Sequence, residues 1–111
     1  MINLSFVIPV FNEEASIVEL LNNIKIKVEN VKEIEKFEII VVDDNSTDNT
    51  SNLISDLKNI KYLKNLNNFG YGFSLKRGIK KSQYENIVIL DGDGTYPIEH
   101  LDKLLEKYKE G

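Results

Sequence analysis

Two aspartates, Asp91 and Asp93, directly follow the apolar segment of residues 87–90. If the chain stays extended there, both carboxylates point to one side. At a separation of about 6 Å and an effective dielectric constant of about 20, their repulsion costs roughly 3 kcal/mol, which a divalent cation would turn into attraction. Carboxylate oxygens suit Mg²⁺ or Mn²⁺, and two protein ligands leave coordination positions for substrate phosphates. The pair therefore predicts a metal-assisted phosphate site, in which Gly92 and Gly94 let the backbone approach a ligand.

A second acidic cluster, residues 43–48, follows another apolar segment. Asp43 and Asp44 could simply hold a turn or cap a helix, and an Asp-Gly turn would also explain Asp91 and Asp93. Alternatively, an ionised carboxylate only accepts hydrogen bonds, so it could select a base edge that presents N–H groups, as uracil and guanine do. Phe11 could cover a base or ribose, although core packing would explain it equally well.

Four apolar segments are spaced along the chain as buried strands would be: residues 4–10, 37–42, 60–63 and 87–90. After each segment, apolar residues recur with helical spacing. In the third helix this spacing predicts one apolar face with Tyr71, Leu75 and Ile79. The fourth helix is predicted to start near Pro97. Alternating strands and helices predict an α/β fold with a parallel sheet and helices on both faces. Ligands of such sheets bind beyond the carboxyl ends of the strands, where both acidic clusters fall.

Composition limits the classes of function. The chain has 111 residues with a net charge of −4, which fits one domain without a general attraction to nucleic acid. It contains no cysteine, which is compatible with the cytoplasm. The longest apolar run, residues 6–11, is too short to span a bilayer, and no secretory signal pattern precedes it.

Three ordered segments resemble the family 2 glycosyltransferases: residues 6–14, residues 38–48, and Asp91-Gly92-Asp93. Residues 91–97 are most similar to the branch that contains dolichol-phosphate mannosyltransferases and related polyprenyl-phosphate glycosyltransferases. The resemblance covers essentially the whole chain. It implies the nucleotide-binding half of a GT-A fold, with a Rossmann-like parallel sheet over residues 1–111.

The resemblance also implies roles for particular residues. The nucleotide-sugar would contact Pro9, Phe11, Glu13, Val42, Asp44, Asp91 and Gly92, with Val42 and Asp44 at the base. Asp91 and Asp93 would hold Mg²⁺ or Mn²⁺. The usual tyrosine after the first strand is Phe11 here, so a hydrogen bond from that hydroxyl is absent.

The implied reaction is transfer of a hexose from a UDP- or GDP-sugar, with inversion, to an acceptor such as polyprenyl phosphate. The metal would stabilise the departing diphosphate. Such an acceptor would place the protein at the cytoplasmic face of the membrane. Because the family continues with acceptor-binding strands and a catalytic base, we expect the chain to be truncated after Gly111 and inactive by itself.

Two other functions fit parts of the sequence. Residues 89–95 also match the nucleophile motif of haloacid-dehalogenase-type phosphatases, in which Asp91 would attack phosphorus and Asp93 would act as general acid. That motif normally opens its domain, whereas here it lies near the end of the chain. A noncatalytic nucleotide-binding module is the other alternative.

Overall fold

The computed structural model describes residues 2–93 and residue 103. The described elements, in chain order, are β1 (Ile2–Val10), α1 (Ile17–Glu29), β2 (Ile34–Asp43), α2 (Thr50–Ser55), β3 (Lys61–Lys64), α3 (Tyr71–Lys81) and β4 (Asn86–Ile89). The strands form one sheet in the order β3-β2-β1-β4, and every pairing between neighbours is parallel. This confirms the predicted α/β fold.

The central strand β1 is buried on both faces of the sheet, which explains its nearly continuous apolar sequence. Successive side chains of a strand point to opposite faces. Phe6 and Ile8 belong to a core cluster that includes Leu21 of α1 and Ile54 of α2. Val7 lies on the opposite face, under α3. Helices therefore cover both faces, with α1 and α2 on one side and α3 on the other.

The third helix packs on the sheet through small residues. Tyr71 and Ile79 are 54% and 39% exposed, whereas Ser74 and Gly78 are buried. A Cβ atom at Gly78 would lie only 2.4 Å from Cγ1 of Val7, so this approach of helix to sheet requires glycine. The prediction that Tyr71 and Ile79 share the buried apolar face of this helix is wrong, because the helix axis lies too close to the strands for large side chains.

Strands β1 and β2 begin two and three residues earlier than their apolar segments predict, at Ile2 and Ile34. The first residues of β2 pair with β1 through the backbone while their side chains are largely exposed, so hydrophobicity does not mark them. Of the fourth predicted helix, the structure describes only Lys103, which is helical. Pro97 at the predicted start and Gly94 before it lie outside the described residues. Within residues 2–93, no helix is both long and apolar enough to cross a bilayer.

Candidate functional site

The loops after β1 and β2 are hydrogen-bonded to each other. Asn12 has a positive φ of 54°, which asparagine tolerates better than most residues. Its Oδ1 accepts from the Thr47 N–H at 2.8 Å, and its own N–H donates to Ser46 Oγ at 3.0 Å. The Glu13 N–H donates to Thr50 Oγ1 at 2.8 Å. These contacts fix the two strand ends relative to each other. Asn12 was not predicted as a site residue, and only its position just past a strand indicated such a role.

A cleft of about 400 Å³ opens where β1, β2 and β4 end. Its lining contains Asp44 of the first acidic cluster and both aspartates of the second, so the carboxyl ends of the strands bring the two clusters to one cleft. The lining residues are Pro9, Val10, Phe11, Glu13, Asp44, Tyr71, Ser74, Asp91, Gly92 and Asp93. Every residue predicted for the site is among them except Val42, and Val10, Tyr71 and Ser74 are additions.

Val42 lies elsewhere. Its side chain is fully buried, and its Cγ2 would be 3.1 Å from a Cβ atom at Gly78. Because alternate residues of β2 face opposite sides of the sheet, Val42 points under α3 while the loop after β2 turns toward the cleft. The prediction placed Val42 at the base without specifying its side chain. The structure shows that this side chain packs in the interior and that Val42 is not among the residues lining the cleft.

Asp44 is 6% exposed and accepts three hydrogen bonds from the protein. Its Oδ1 accepts from Asn65 Nδ2 at 2.9 Å and from the Phe69 N–H at 2.8 Å, and its Oδ2 accepts from the Gly70 N–H at 2.9 Å. Burial raises the pKa of the carboxyl, but these bonds lower it more, so the pKa lies below its ordinary value of 3.8. Asp44 is thus held ionised at the edge of the cleft and ties the loop before α3 to the end of β2.

Asp43 is fully buried and serves the turn after β2. Its Oδ1 accepts from the N–H and the hydroxyl of Ser46, at 2.9 and 2.6 Å, and the Tyr62 hydroxyl donates to its Oδ2 at 2.7 Å. Burial and the neighbouring Asp43 carboxylate both raise the pKa of Tyr62, which therefore stays protonated. Of the two interpretations left open for Asp43, the structure favours the turn.

Asp91 and Asp93 are both exposed on the cleft. The Tyr71 hydroxyl lies 3.4 Å from Asp91 Oδ1, at the long end for a hydrogen bond. Burial, the Asp91 charge and this contact all raise the pKa of Tyr71. Tyr71 reaches the cleft because it starts α3 directly after Gly70, whose positive φ of 97° turns the chain.

Gly92 is required for packing against protein. A Cβ atom at this position would lie 2.6 Å from Val10 Cγ1 and 3.2 Å from Glu13 Cγ. The Ser16 hydroxyl donates to the Gly92 carbonyl at 2.8 Å and so ties the loop after β4 to the start of α1. Gly92 was predicted to admit a ligand; in the structure, the absent side chain lets the two aspartates sit close to the end of β1.

The cleft is strongly anionic. The pKa of Glu13 is raised, first by burial and then by the charge of Asp93. The Ser16 hydroxyl lowers it, and the charges of Asp48 and Asp91 raise it by smaller amounts. Among the described residues, no basic side chain lines the cleft. Nor do the described His, Asp and Glu side chains form any group of three close enough to hold a metal. Asp91 and Asp93 would leave most coordination positions of a cation for an anionic ligand.

The amino-acid sequence matches the family described as "Glycosyl transferase family 2" over residues 5–111, almost the whole chain. This chain belongs to glycosyl transferase family 2. The family assignment confirms the resemblance of its three motifs and leaves the phosphatase interpretation of residues 89–95 without support.

Two relatives of this glycosyltransferase chain carry names that specify a polyprenyl-phosphate acceptor. A dolichol-phosphate mannosyltransferase of Pyrococcus furiosus is 30% identical over 110 residues, which cover 96% of this chain and 30% of that protein. An undecaprenyl-phosphate 4-deoxy-4-formamido-L-arabinose transferase of Proteus mirabilis is 31% identical over 114 residues, covering 96% and 34%. The chain therefore spans about a third of the length of the relatives it matches.

Solved structures agree with the fold. TarS of Staphylococcus aureus in complex with UDP has a TM-score of 0.72 at 26% identity, over 95% of this chain and 32% of TarS. Glucosyl-3-phosphoglycerate synthase of Mycobacterium tuberculosis, in complex with Mn²⁺, UDP and phosphoglyceric acid, has a TM-score of 0.62 at 26% identity, over 82% and 33%. Both similarities confirm the GT-A arrangement of this family 2 chain.

Proposed function

We propose that the whole protein transfers a sugar, with inversion, from a nucleoside diphosphate sugar bound in this cleft to an acceptor. The observation that carries the proposal is the convergence of Glu13, Asp44, Asp91 and Asp93 on one cleft at the carboxyl ends of the strands. In an open parallel sheet this edge is where ligands bind. Membership of glycosyl transferase family 2 supplies the class of reaction.

Asp91 and Asp93 would hold a divalent cation, Mg²⁺ or Mn²⁺. A diphosphate cannot enter a cleft that carries several carboxylates unless positive charge compensates the repulsion, and the described lining offers no lysine or arginine. When bound, the cation would neutralise the charge that grows on the diphosphate as the glycosidic bond breaks. The Mn²⁺ and UDP in the mycobacterial synthase support this assignment.

The nucleoside would lie at the opposite end of the cleft. Pro9 and Phe11 line it with apolar surface, and Phe11 is 43% exposed, so its ring is free to cover a ribose or base. Glu13 could accept from ribose hydroxyls, and the ionised Asp44 would meet the base. Val42 contributes only by supporting the strand end.

A lipid phosphate is the acceptor that the relatives favour, because their names specify dolichol phosphate and undecaprenyl phosphate. The acceptor site and the catalytic base then belong to the part of the relatives that this chain does not span. Such an acceptor would bring the protein to the cytoplasmic face of the membrane. Assay of the whole protein with polyprenyl phosphate and with soluble sugars tests this: transfer to soluble sugars alone would contradict it.

Calorimetric titration tests the donor site. UDP and GDP are titrated with and without Mn²⁺ into the unmodified protein, Asp93→Ala, and the control Asp56→Ala, which replaces an exposed aspartate at the end of α2. We expect metal-dependent binding of one nucleotide that only Asp93→Ala weakens, by at least tenfold. Binding of neither nucleotide, or equal binding by all three proteins, would contradict the proposed donor site.

A further inference from the structure

Asp44 offers a ligand one hydrogen-bond position. An ionised carboxylate has about four acceptor positions, two on each oxygen. Oδ1 already accepts from Asn65 and Phe69, at 2.9 and 2.8 Å, and Oδ2 accepts from Gly70 at 2.9 Å. Asp44 is one of the residues that line the cleft, and the remaining position on Oδ2 is the one that the protein leaves to a ligand.

The donor that occupies Oδ1 is itself held in place. Asn65 is 2% exposed, and its Nδ2 is shared between Asp44 Oδ1 and Ser74 Oγ, at 2.9 Å each. The Oδ1 of Asn65 accepts from Arg77 at 2.9 Å, which fixes the orientation of the amide. Turning Asn65 away to free Asp44 would break these bonds inside a buried network, so the occupied oxygen stays occupied.

The two candidate bases differ in the number of donors on the edge that a carboxylate can read. Guanine presents two adjacent donors, N1–H and the N2 amino group, which match both oxygens of an unoccupied carboxylate. Uracil presents one donor, N3–H, between two carbonyl groups. A carboxylate with one open position satisfies the single N3–H donor of uracil but leaves one guanine donor without its partner, which is unfavourable in a partly buried site.

We propose that the hydrogen bonds from Asn65 and Phe69 to Asp44 Oδ1 make this cleft selective for uracil over guanine, so that the donor is a UDP-sugar. The inference rests on the proposed function, because it assumes that the cleft holds a nucleoside diphosphate with its base at Asp44. It assigns the selectivity to Asn65, a positioning residue behind Asp44 that has no contact with the ligand.

Titration with UDP, GDP and N3-methyl-UDP in the presence of Mn²⁺ tests the proposal on the unmodified protein. We expect UDP to bind at least tenfold more tightly than GDP, and N3-methylation to weaken UDP binding by a similar factor. Metal-dependent binding of GDP as tight as that of UDP, or an N3-methyl group without effect, would overturn the selectivity and leave the proposed function standing. Binding of none of them would overturn both.

Asn65→Ala separates the positioning role from a general loss of binding. Removing this amide opens a second acceptor position on Asp44, so the ratio of UDP to GDP affinity should fall severalfold, mainly through tighter GDP binding. Asp56→Asn, on the exposed end of α2, should leave the ratio unchanged. An unchanged ratio in folded Asn65→Ala would contradict the role of Asn65. If that variant fails to fold, the N3-methyl comparison still decides the selectivity.

Discussion

The two acidic clusters of this protein use the same side chain at the same edge of the sheet in opposite ways. Asp43 ends β2 and Asp44 follows it; both are buried, and each accepts three hydrogen bonds from the protein. Asp91 and Asp93 follow β4 and are exposed on the cleft. The first pair builds the site, although Asp44 also keeps one acceptor position for a ligand, and the second pair faces what enters the cleft. Among the described strands, β2 lies between β1 and β3, whereas β4 pairs with β1 alone.

The largest expected effect comes from removing the most buried carboxylate. Asp43→Ala leaves the Ser46 N–H and the Tyr62 hydroxyl without their acceptor, which should lower the free energy of unfolding by about 3 kcal/mol. Urea denaturation measures this, and Asp56→Ala, at an exposed position, should change it by less than about 0.5 kcal/mol. If the two variants lowered the free energy of unfolding equally, the claim that Asp43 belongs to a pair that builds the site would be contradicted.

The exposed pair should show the reverse behaviour. Asp91→Asn combined with Asp93→Asn should weaken metal-dependent nucleotide binding on the order of 100-fold, about 2.7 kcal/mol. The free energy of unfolding should stay the same or rise, because the negative charge near Glu13 is reduced. Calorimetric titration and urea denaturation of the same sample check both halves. A large loss of stability with unchanged nucleotide binding would show that the exposed pair supports the fold and does not bind the ligand.

Gly92 sets where the exposed pair lies. Gly92→Ala places a Cβ atom against Val10 and Glu13 and should destabilise the protein by about 2 kcal/mol, while also displacing the aspartates and weakening binding. Gly72→Ala is the matched control, because a Cβ atom there meets nothing within 4 Å and alanine favours the helix. The prediction fails if both alanines are tolerated equally in urea denaturation.

Tyr62→Phe probes the building pair with a smaller change. The variant removes one donor from Asp43 and keeps the ring, so the free energy of unfolding should fall by about 1 kcal/mol. In a double-mutant cycle with Asp43→Ala, the two effects should not add, since both remove the same hydrogen bond. Full additivity would show that the bond contributes nothing.

The smallest expected effect is the pH dependence that Asp44 contributes. Its folded pKa lies below the ordinary value of 3.8, so the unfolded state binds the proton more readily. The stabilisation is fully present above pH 3.8 and is lost as the pH falls through the folded pKa. The difference in unfolding free energy between the unmodified protein and Asp44→Asn should therefore shrink on acidification. A difference independent of pH would contradict the lowered pKa, which NMR titration of the carboxyl measures directly.

Much of the fold could be predicted because its causes are local. The apolar segment of β1 and the spacing of apolar residues in α1 follow from burial, which hydrophobicity records directly. The prediction failed for α3, where small residues face the sheet. Ser74 and Gly78 carry no hydrophobic signal, so only the distance between helix and strands explains them.

The sequence by itself determined the parallel α/β fold, the edge at which the acidic clusters meet, and most of the residues that line the cleft. The fold and the edge follow from strand burial and from the rule that parallel strands end on one side. The lining residues follow from the resemblance of the three motifs to the family 2 glycosyltransferases. Only the tertiary structure decided that Val42 points into the interior, that Asn65 occupies one oxygen of Asp44, and that Tyr71 reaches Asp91. These depend on which residues far apart in the chain become neighbours, and no local pattern records that.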